Sequence, residues 1–327
     1  MSDLKTMLLE WVRPDLEQIE ASLRRHLVTN FDLVSKVASH LLFSGGKRLR
    51  PLLLIMSARI CGYRGGVDVD LATAFEYLHT ATLLHDDLVD GAGYRRGRPV
   101  AHQLWDNPTA VLVGDYLFAR ASSIAAATEH LDAIKVLAEV TQEMSQGELF
   151  QLTKKGNIDL TEDEYLEVIR RKTAVLFQGA CRIGASLHDA GNERKSALDA
   201  YGLHLGLAFQ MADDMLDYLQ QDIETLGKAA GADLREGKVT LPVIHTLRQA
   251  APSDKAAIKS ILAQPDFTTK DFKRIMRLME TYGGMAYTRK KAEEHSETAK
   301  DALCVFPQSK TREIMTALAD YALIRKA

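Results

Sequence analysis

The sequence predicts an all-α fold, and three observations carry that reading. Apolar residues recur at three- and four-residue steps over long stretches, as in LATAFEYLHTATLLHDDLVD at 71–90. No run of short alternating segments joined by Asn-Gly turns is present, so the usual signature of a sheet is missing. The Gly- and Pro-bearing breaks, FSGGKRLRP, GYRGGVD, DGAGYRRGRP, LGKAAGADLREGKVTLP and APSD, are too short and too varied to be linkers. The expectation is one domain over residues 1–327, built from ten or so helices.

The elements follow in order. The stretch 71–90 is a helix rich in Ala and Leu. TEDEYLEVIRRKTAVLFQGACRIGASL, 161–187, opens with Thr161 and Glu164 at capping-box spacing and continues on a helical period. YGLHLGLAFQMADDMLDYLQ, 201–220, reads the same way. TTKDFKRIMRLMETYGG, 268–284, starts on cap residues and stops on a Gly pair.

Composition narrows the function classes. With 46% hydrophobic and 26% charged residues the chain has an ordinary soluble composition, and a net charge of −3 gives no global field to favour nucleic acid. Cys61, Cys181 and Cys304 stand far apart, so they suggest neither a zinc site nor a disulfide framework, and a reduced cytoplasmic setting is expected. The N-terminal MSDLKTMLLEWVRP lacks the ordered basic, apolar and small-residue regions of a signal peptide. No uninterrupted apolar run approaches the ~20 residues that span a bilayer, so no membrane anchor is expected.

Two acidic motifs share one spacing. In LLHDDLVD, Asp86 and Asp90 are four apart and lie on one helix face, with Asp87 turned aside by ~100°. In MADDMLD, Asp213 and Asp217 repeat the pattern, with Asp214 turned aside. Acids at the C-terminal end of a helix oppose its macrodipole, and carboxylates at i, i+4 repel each other. A solvated helix end would explain one such motif. Two, each behind an apolar run, favour a hard divalent cation such as Mg²⁺, which takes carboxylates together with phosphate oxygens.

Basic clusters interleave with the acids. GGKRLRP supplies Lys47, Arg48 and Arg50; YRRGRP supplies Arg95, Arg96 and Arg98; RRKT supplies Lys172 and Thr173; LGKAAGADLREGK supplies Lys228 and Lys238. Arginine forks, lysine point charges and closely approaching Gly backbone suit phosphate. Each cluster alone reads as a charged loop, but together with the acids they describe a diphosphate site. His79, seven residues before Asp86, falls within ~20° of the same helix stripe. Gln210 sits one turn before the second acidic pair.

At these residues the chain resembles the trans-prenyltransferases, the all-α isoprenyl diphosphate synthases. GGKRLRP, HTATLLHDDLVD with RRGRP, RRKT, FQMADDMLD and GKAAGADLREGKVTLP occur in family order over nearly the whole chain. The resemblance implies long helices around a deep central cavity, and a homodimer. It implies Mg²⁺ held by Asp86, Asp90 and Asp213, with Asp217 in support. Lys47, Arg50, His79 and Arg96 match the isopentenyl diphosphate site; Arg95, Lys172, Thr173, Gln210, Lys228 and Lys238 match contacts to the allylic diphosphate. Asp86, Asp90, Lys172 and Asp213 are the expected catalytic residues.

Product length is read upstream of Asp86. In the family, bulky residues four and five positions ahead of the first Asp form a floor; here Ala81 and Thr82 are small. A helical wheel puts Thr82 nearer the Asp86 face, so Ala81 enters the tunnel only by resemblance. The next candidates are Leu78 and Phe75, with Met144 from another helix. A turn rises ~5.4 Å, about one extended isoprene unit, so the open floor predicts products of C30 to C50, with C40 as the single expectation. A geranylgeranyl or farnesyl diphosphate synthase is the rival within the chemistry. A non-catalytic partner subunit would lack an aspartate motif or GGKRLRP, and a terpene cyclase would not need Lys47, Arg50 and His79. An insoluble long product gives a reason for transient association with a membrane without any anchor.

Overall fold

Local chemistry sets the helix boundaries. Thr161 and Glu164 form the reciprocal capping box, each side chain accepting the other's backbone N–H, and Thr268 and Asp271 form a second. The Asp106 carboxylate accepts the Thr109 N–H at another start, with Pro108 in the first turn. The computed structural model describes residues 2–219, 231–264 and 267–324.

The helices are α1 (Ser2–His26), α2 (Asp32–Leu42), α3 (Leu49–Ile60), α4 (Val67–Val89), α5 (Ala101–Leu104), α6 (Asn107–Ala127), α7 (Leu131–Lys154), α8 (Glu162–Ile169), α9 (Val175–Ser186) and α10 (Gly191–Leu219). After the second acidic motif come α11 (Ala232–Arg235), α12 (Leu241–Gln249), α13 (Pro252–Leu262), α14 (Thr269–Thr281), α15 (Gly284–Ala302) and α16 (Lys310–Ile324). The all-α expectation holds, with more and shorter elements than ten. The predicted 161–187 helix is interrupted by a π-helical turn, Arg170–Ala174, and the helix predicted at 201–220 starts ten residues earlier.

One small ladder departs from the helical reading. Tyr94–Arg95 pairs antiparallel with Arg98–Pro99 as a hairpin. Its two central residues, Arg96 and Gly97, have φ of 52° and 72°, the two positive values a type I′ turn requires. A non-glycine residue there costs roughly 1 kcal/mol, which made the hairpin hard to read from YRRGRP.

Two buried helices organise the bundle. α4 packs against α3 and α6, and α10 against α9 and α15. The main apolar core runs through α1 to α7, α9, α10 and α16, with Ala299 of α15, while a second links α8 and α10 to α12, α14 and α15. α10 contributes to both. Backbone contact between α10 and the preceding segment depends on glycine: a Cβ on Gly202 would lie 2.7 Å from Gln178 Cα, and one on Gly206 2.5 Å from Ala174 Cα. That close crossing sets the π-helical turn directly against α10, opposite the end of α4.

Candidate active site

A cavity of about 730 Å³ opens where the C-terminal turns of α4 and α10 face the loop before α3. Asp86 and Asp90 line it from α4, and Asp213 from α10. Helical periodicity brings Asp86 and Asp90, four positions apart, to one face of α4. The acids at the helix ends are answered by cations. Lys238 donates to Asp90 at 2.8 Å and to Glu236 at 2.8 Å. Burial pushes the Asp86 carboxyl up to about 6, with Lys172 opposing the shift and Glu148 and Asp90 adding to it. Burial also acts on Asp90, but Lys238 and Lys172 outweigh it and hold that carboxyl below its usual range. Burial disfavours the Lys238 ammonium, and its two carboxylate partners more than compensate, raising its pKa.

The middle acids do different work. Asp87, buried, takes a bidentate grip from Arg95, with Nε at 2.8 and 3.0 Å from its two oxygens. Asp214 accepts from Tyr165 Oη at 2.7 Å and from Gln210 Nε2 at 2.6 Å, and burial lifts its carboxyl to about 8. Gln210 Oε1 in turn accepts from Thr173 Oγ1 at 2.8 Å, so the amide that lines the cavity is oriented from behind.

The π-helical turn delivers Lys172 and Thr173, both lining the cavity. Such turns recur at functional sites because the wider register re-aims side chains. In this structure Lys172 Nζ donates to Glu148 at 2.9 Å and Gln151 at 2.8 Å.

Lys47, Arg50, His79 and Arg96 line the same cavity, gathered as expected. Arg50 Nη1 meets His79 Nε2 at 3.1 Å and stacks 4.7 Å over the Phe177 ring. Burial, then Arg50 and the other arginines, hold His79 well below the usual histidine range, so it is neutral. Its Nδ1 is buried without a hydrogen-bond partner among the described residues. Burial and the neighbouring Arg95 keep the Arg96 guanidinium below its ordinary range, as a cation crowded by cations and suited to an anion.

Several expectations change. Asp217 accepts the backbone N–H groups of Ala232 and Asp233, both at 3.2 Å, and does not line the cavity. It holds the start of α11, and Asp233 lines the cavity instead. Arg95 does line the cavity, but its guanidinium is committed to Asp87. Thr82 faces the cavity, whereas Ala81, Leu78 and Phe75 are buried in the core beside it and are not part of its lining. For Ala81 the reason is angular, since it sits ~140° round the helix from Asp86 while Thr82 and Leu83 lie within ~60°; Phe75 shares the Asp86 stripe and is set apart by depth, about three turns along α4. Lys228 falls outside the described residues. Sequence reasoning missed Leu83, Leu176 and Phe209, which join Met144 as apolar lining, and also Glu76 and Asp233. Asp233 stands inside a segment quoted above only for its lysines.

The hard oxygen donors of Asp86, Asp90 and Asp213 suit a divalent metal in kind; among the described residues no three such ligands converge on one point, so a diphosphate's oxygens would complete the set.

Similarity to known proteins extends over nearly the whole chain. A family model described as Polyprenyl synthetase matches residues 31–279. The chain is 35% identical over 316 residues to the octaprenyl diphosphate synthase of Escherichia coli (strain K12), covering 97% of each chain. It is 37% identical over 324 residues to a geranyl-diphosphate-specific all-trans-nonaprenyl-diphosphate synthase of Rhodobacter capsulatus, covering 99% of this chain and 98% of that one. Among solved structures, a polyprenyl synthase from Caulobacter crescentus CB15, complexed with calcium and isoprenyl diphosphate, superposes with a TM-score of 0.93 at 39% identity, over 98% of this chain and 97% of that one.

Proposed function

Because the chain belongs to the polyprenyl synthetase family, as a divalent-metal-dependent trans-prenyl diphosphate synthase, we propose that it extends an allylic diphosphate with isopentenyl diphosphate to a C30 to C50 product. C40 is the length we favour. The observation that carries this reading is that one cavity is lined together by acids from two helices, by Lys47, Arg50 and Arg96, and by apolar side chains. The substrates assigned are an allylic diphosphate at the acids and isopentenyl diphosphate at those three basic residues.

Asp86, Asp90 and Asp213 would hold Mg²⁺, which supplies Lewis-acid stabilisation of the departing diphosphate when bound. Lys172 and Lys238, with Lys228 and Arg95 as further candidates, neutralise the diphosphate oxygens as the allylic C–O bond breaks. Thr173 and Gln210, locked to each other, present fixed dipoles beside the allylic carbon. The isopentenyl double bond then forms the new C–C bond, and the proton lost from its neighbouring carbon leaves with the released diphosphate. Lys47, Arg50 and Arg96 keep the isopentenyl diphosphate oriented, and neutral His79 accepts a hydrogen bond from Arg50. Leu83, Met144, Leu176 and Phe209 exclude water that would quench the cation.

The long product is supported by the small Thr82 at the cavity wall and by the likeness to octaprenyl and nonaprenyl synthases. We also assign the chain as a single-domain, cytoplasmic homodimer that meets membranes transiently through its insoluble product. The test is to incubate the purified protein with Mg²⁺, farnesyl diphosphate and labelled isopentenyl diphosphate, then size the products. A C15 or C20 end-product would sink the long-chain reading, and undiminished turnover in EDTA would sink the metal assignment.

A further inference from the structure

We propose that Arg48 and Glu76 form a positioning pair for the isopentenyl diphosphate subsite, holding the loop that carries Lys47 and Arg50 without binding the substrate themselves. The proposal rests on the assignment of that subsite above.

Arg48 is unusual on two counts. It is a non-glycine residue at φ 48°, ψ 34°, directly before α3, and it is 6% exposed. A left-handed backbone at a buried arginine persists only where the surroundings over-determine it. They do so here on all three nitrogens of the guanidinium. Nε donates to Glu20 at 2.7 Å, Nη1 donates to Glu76 at 2.6 Å, and Nη2 donates to the Leu42 carbonyl. Each nitrogen of the fork is therefore tied to α1, α2 or α4, while Arg48 also borders the cavity.

Glu76 raises the complementary question. It lines the cavity, is 6% exposed, and sits three residues before His79 on α4. A carboxylate in the wall of a diphosphate pocket repels the ligand unless it serves another group. Arg48 is that group. The same pair borders the neighbouring arginine: a Cβ on Gly46 would lie 3.3 Å from Arg96 Nη1 and 3.5 Å from Arg48 Nη1. Gly46 thus has Arg96 and Arg48 packed on one side of it, and the pair fixes one of those contacts. Lys47 precedes the left-handed residue and Arg50 follows it in the first turn of α3, so relaxing Arg48 re-aims both. A direct role for Arg48 would have only the second N–H of each Nη to offer, since one donor on every nitrogen is held by the fold.

The test uses the full-length protein and two readouts, calorimetric binding of isopentenyl diphosphate in EDTA and steady-state constants for each substrate. Glu76→Gln and Arg48→Met are each expected to weaken isopentenyl diphosphate binding roughly tenfold or more, the size of losing one buried charge-assisted partner. KM for the allylic substrate and kcat at saturation should move by less than about threefold, a split that general misfolding does not give. Glu76→Asp, which keeps the charge and shortens its reach, should lie between and carries the test if Glu76→Gln does not fold. Unchanged affinity in these variants overturns the proposal. So does tighter binding by Glu76→Gln, which would mean that Glu76 merely repels the ligand or that Arg48 binds it once released. Arg50→Gln is the control: if it leaves isopentenyl diphosphate affinity intact, the subsite assignment has failed and not the pair.

Discussion

At the scale of residues, Thr82 and Ala81 illustrate what periodicity decides. Both are small and both precede Asp86, yet only Thr82 lines the cavity, while Ala81 is 2% exposed in the core. Thr82→Phe should therefore shorten the product with condensation intact and little change in melting temperature. Ala81→Phe forces a ring into packed surroundings and should cost about 1–3 kcal/mol, a drop of several degrees in Tm. Product sizing and thermal melts on the two variants decide this. A shorter product from Ala81→Phe at unchanged Tm would put Ala81 on the cavity wall after all. Legibility follows the range of the interaction. Asp86, Asp90 and Asp213 could be read because spacing and chemistry are both local. The anchoring of Asp217 on Ala232 and Asp233, and the engagement of Arg95 by Asp87, depend on partners that only the folded chain brings near.

At the scale of elements, the cap chemistry was legible and the π-helical turn was not. The two capping boxes are written in adjacent residues, whereas the register of Arg170–Ala174 answers to Gly206 pressing on Ala174 from α10. The same helix makes a second contact with a measurable consequence. His204 on α10 and His295 on α15 meet Nδ1 to Nδ1 at 2.8 Å, so one ring donates and the other accepts. Burial, and then His204, pulls His295 down to about 4, and burial lowers His204 as well. Both histidines release protons more readily folded than unfolded, so the native state binds fewer protons. Their contribution is complete above the unfolded value of about 6.5 and is lost as pH falls toward 4. The urea midpoint should fall over that window, and His295→Gln should flatten part of the decline. Parallel curves for wild type and variant would show that the pair contributes nothing.

At the scale of the whole molecule, α6 is the element that one chain leaves unfinished. Among the described residues it alone is long and apolar enough, by length and composition, to cross a membrane, with 39% of its window buried. Its inner face packs on α4, while Val111, Leu112 and Phe118 are exposed at 36%, 65% and 39%. Val111 and Phe118, two turns apart, share one line of the helix with Leu112 ~100° to its side, and an exposed apolar face of this kind marks an interaction surface. The α6–α4 packing ties that face to the helix carrying Asp86, so what covers α6 also braces the site. A second copy is the occupant that the assigned homodimer requires. Leu112→Glu, a charge at the most exposed point of that face, should shift the protein from dimer to monomer in sedimentation velocity. Turnover should fall with it, because α4 loses the support behind its acidic turn. Wild-type protein that sediments as a monomer at micromolar concentration would overturn the homodimer. A variant that stays dimeric would move the interface off α6.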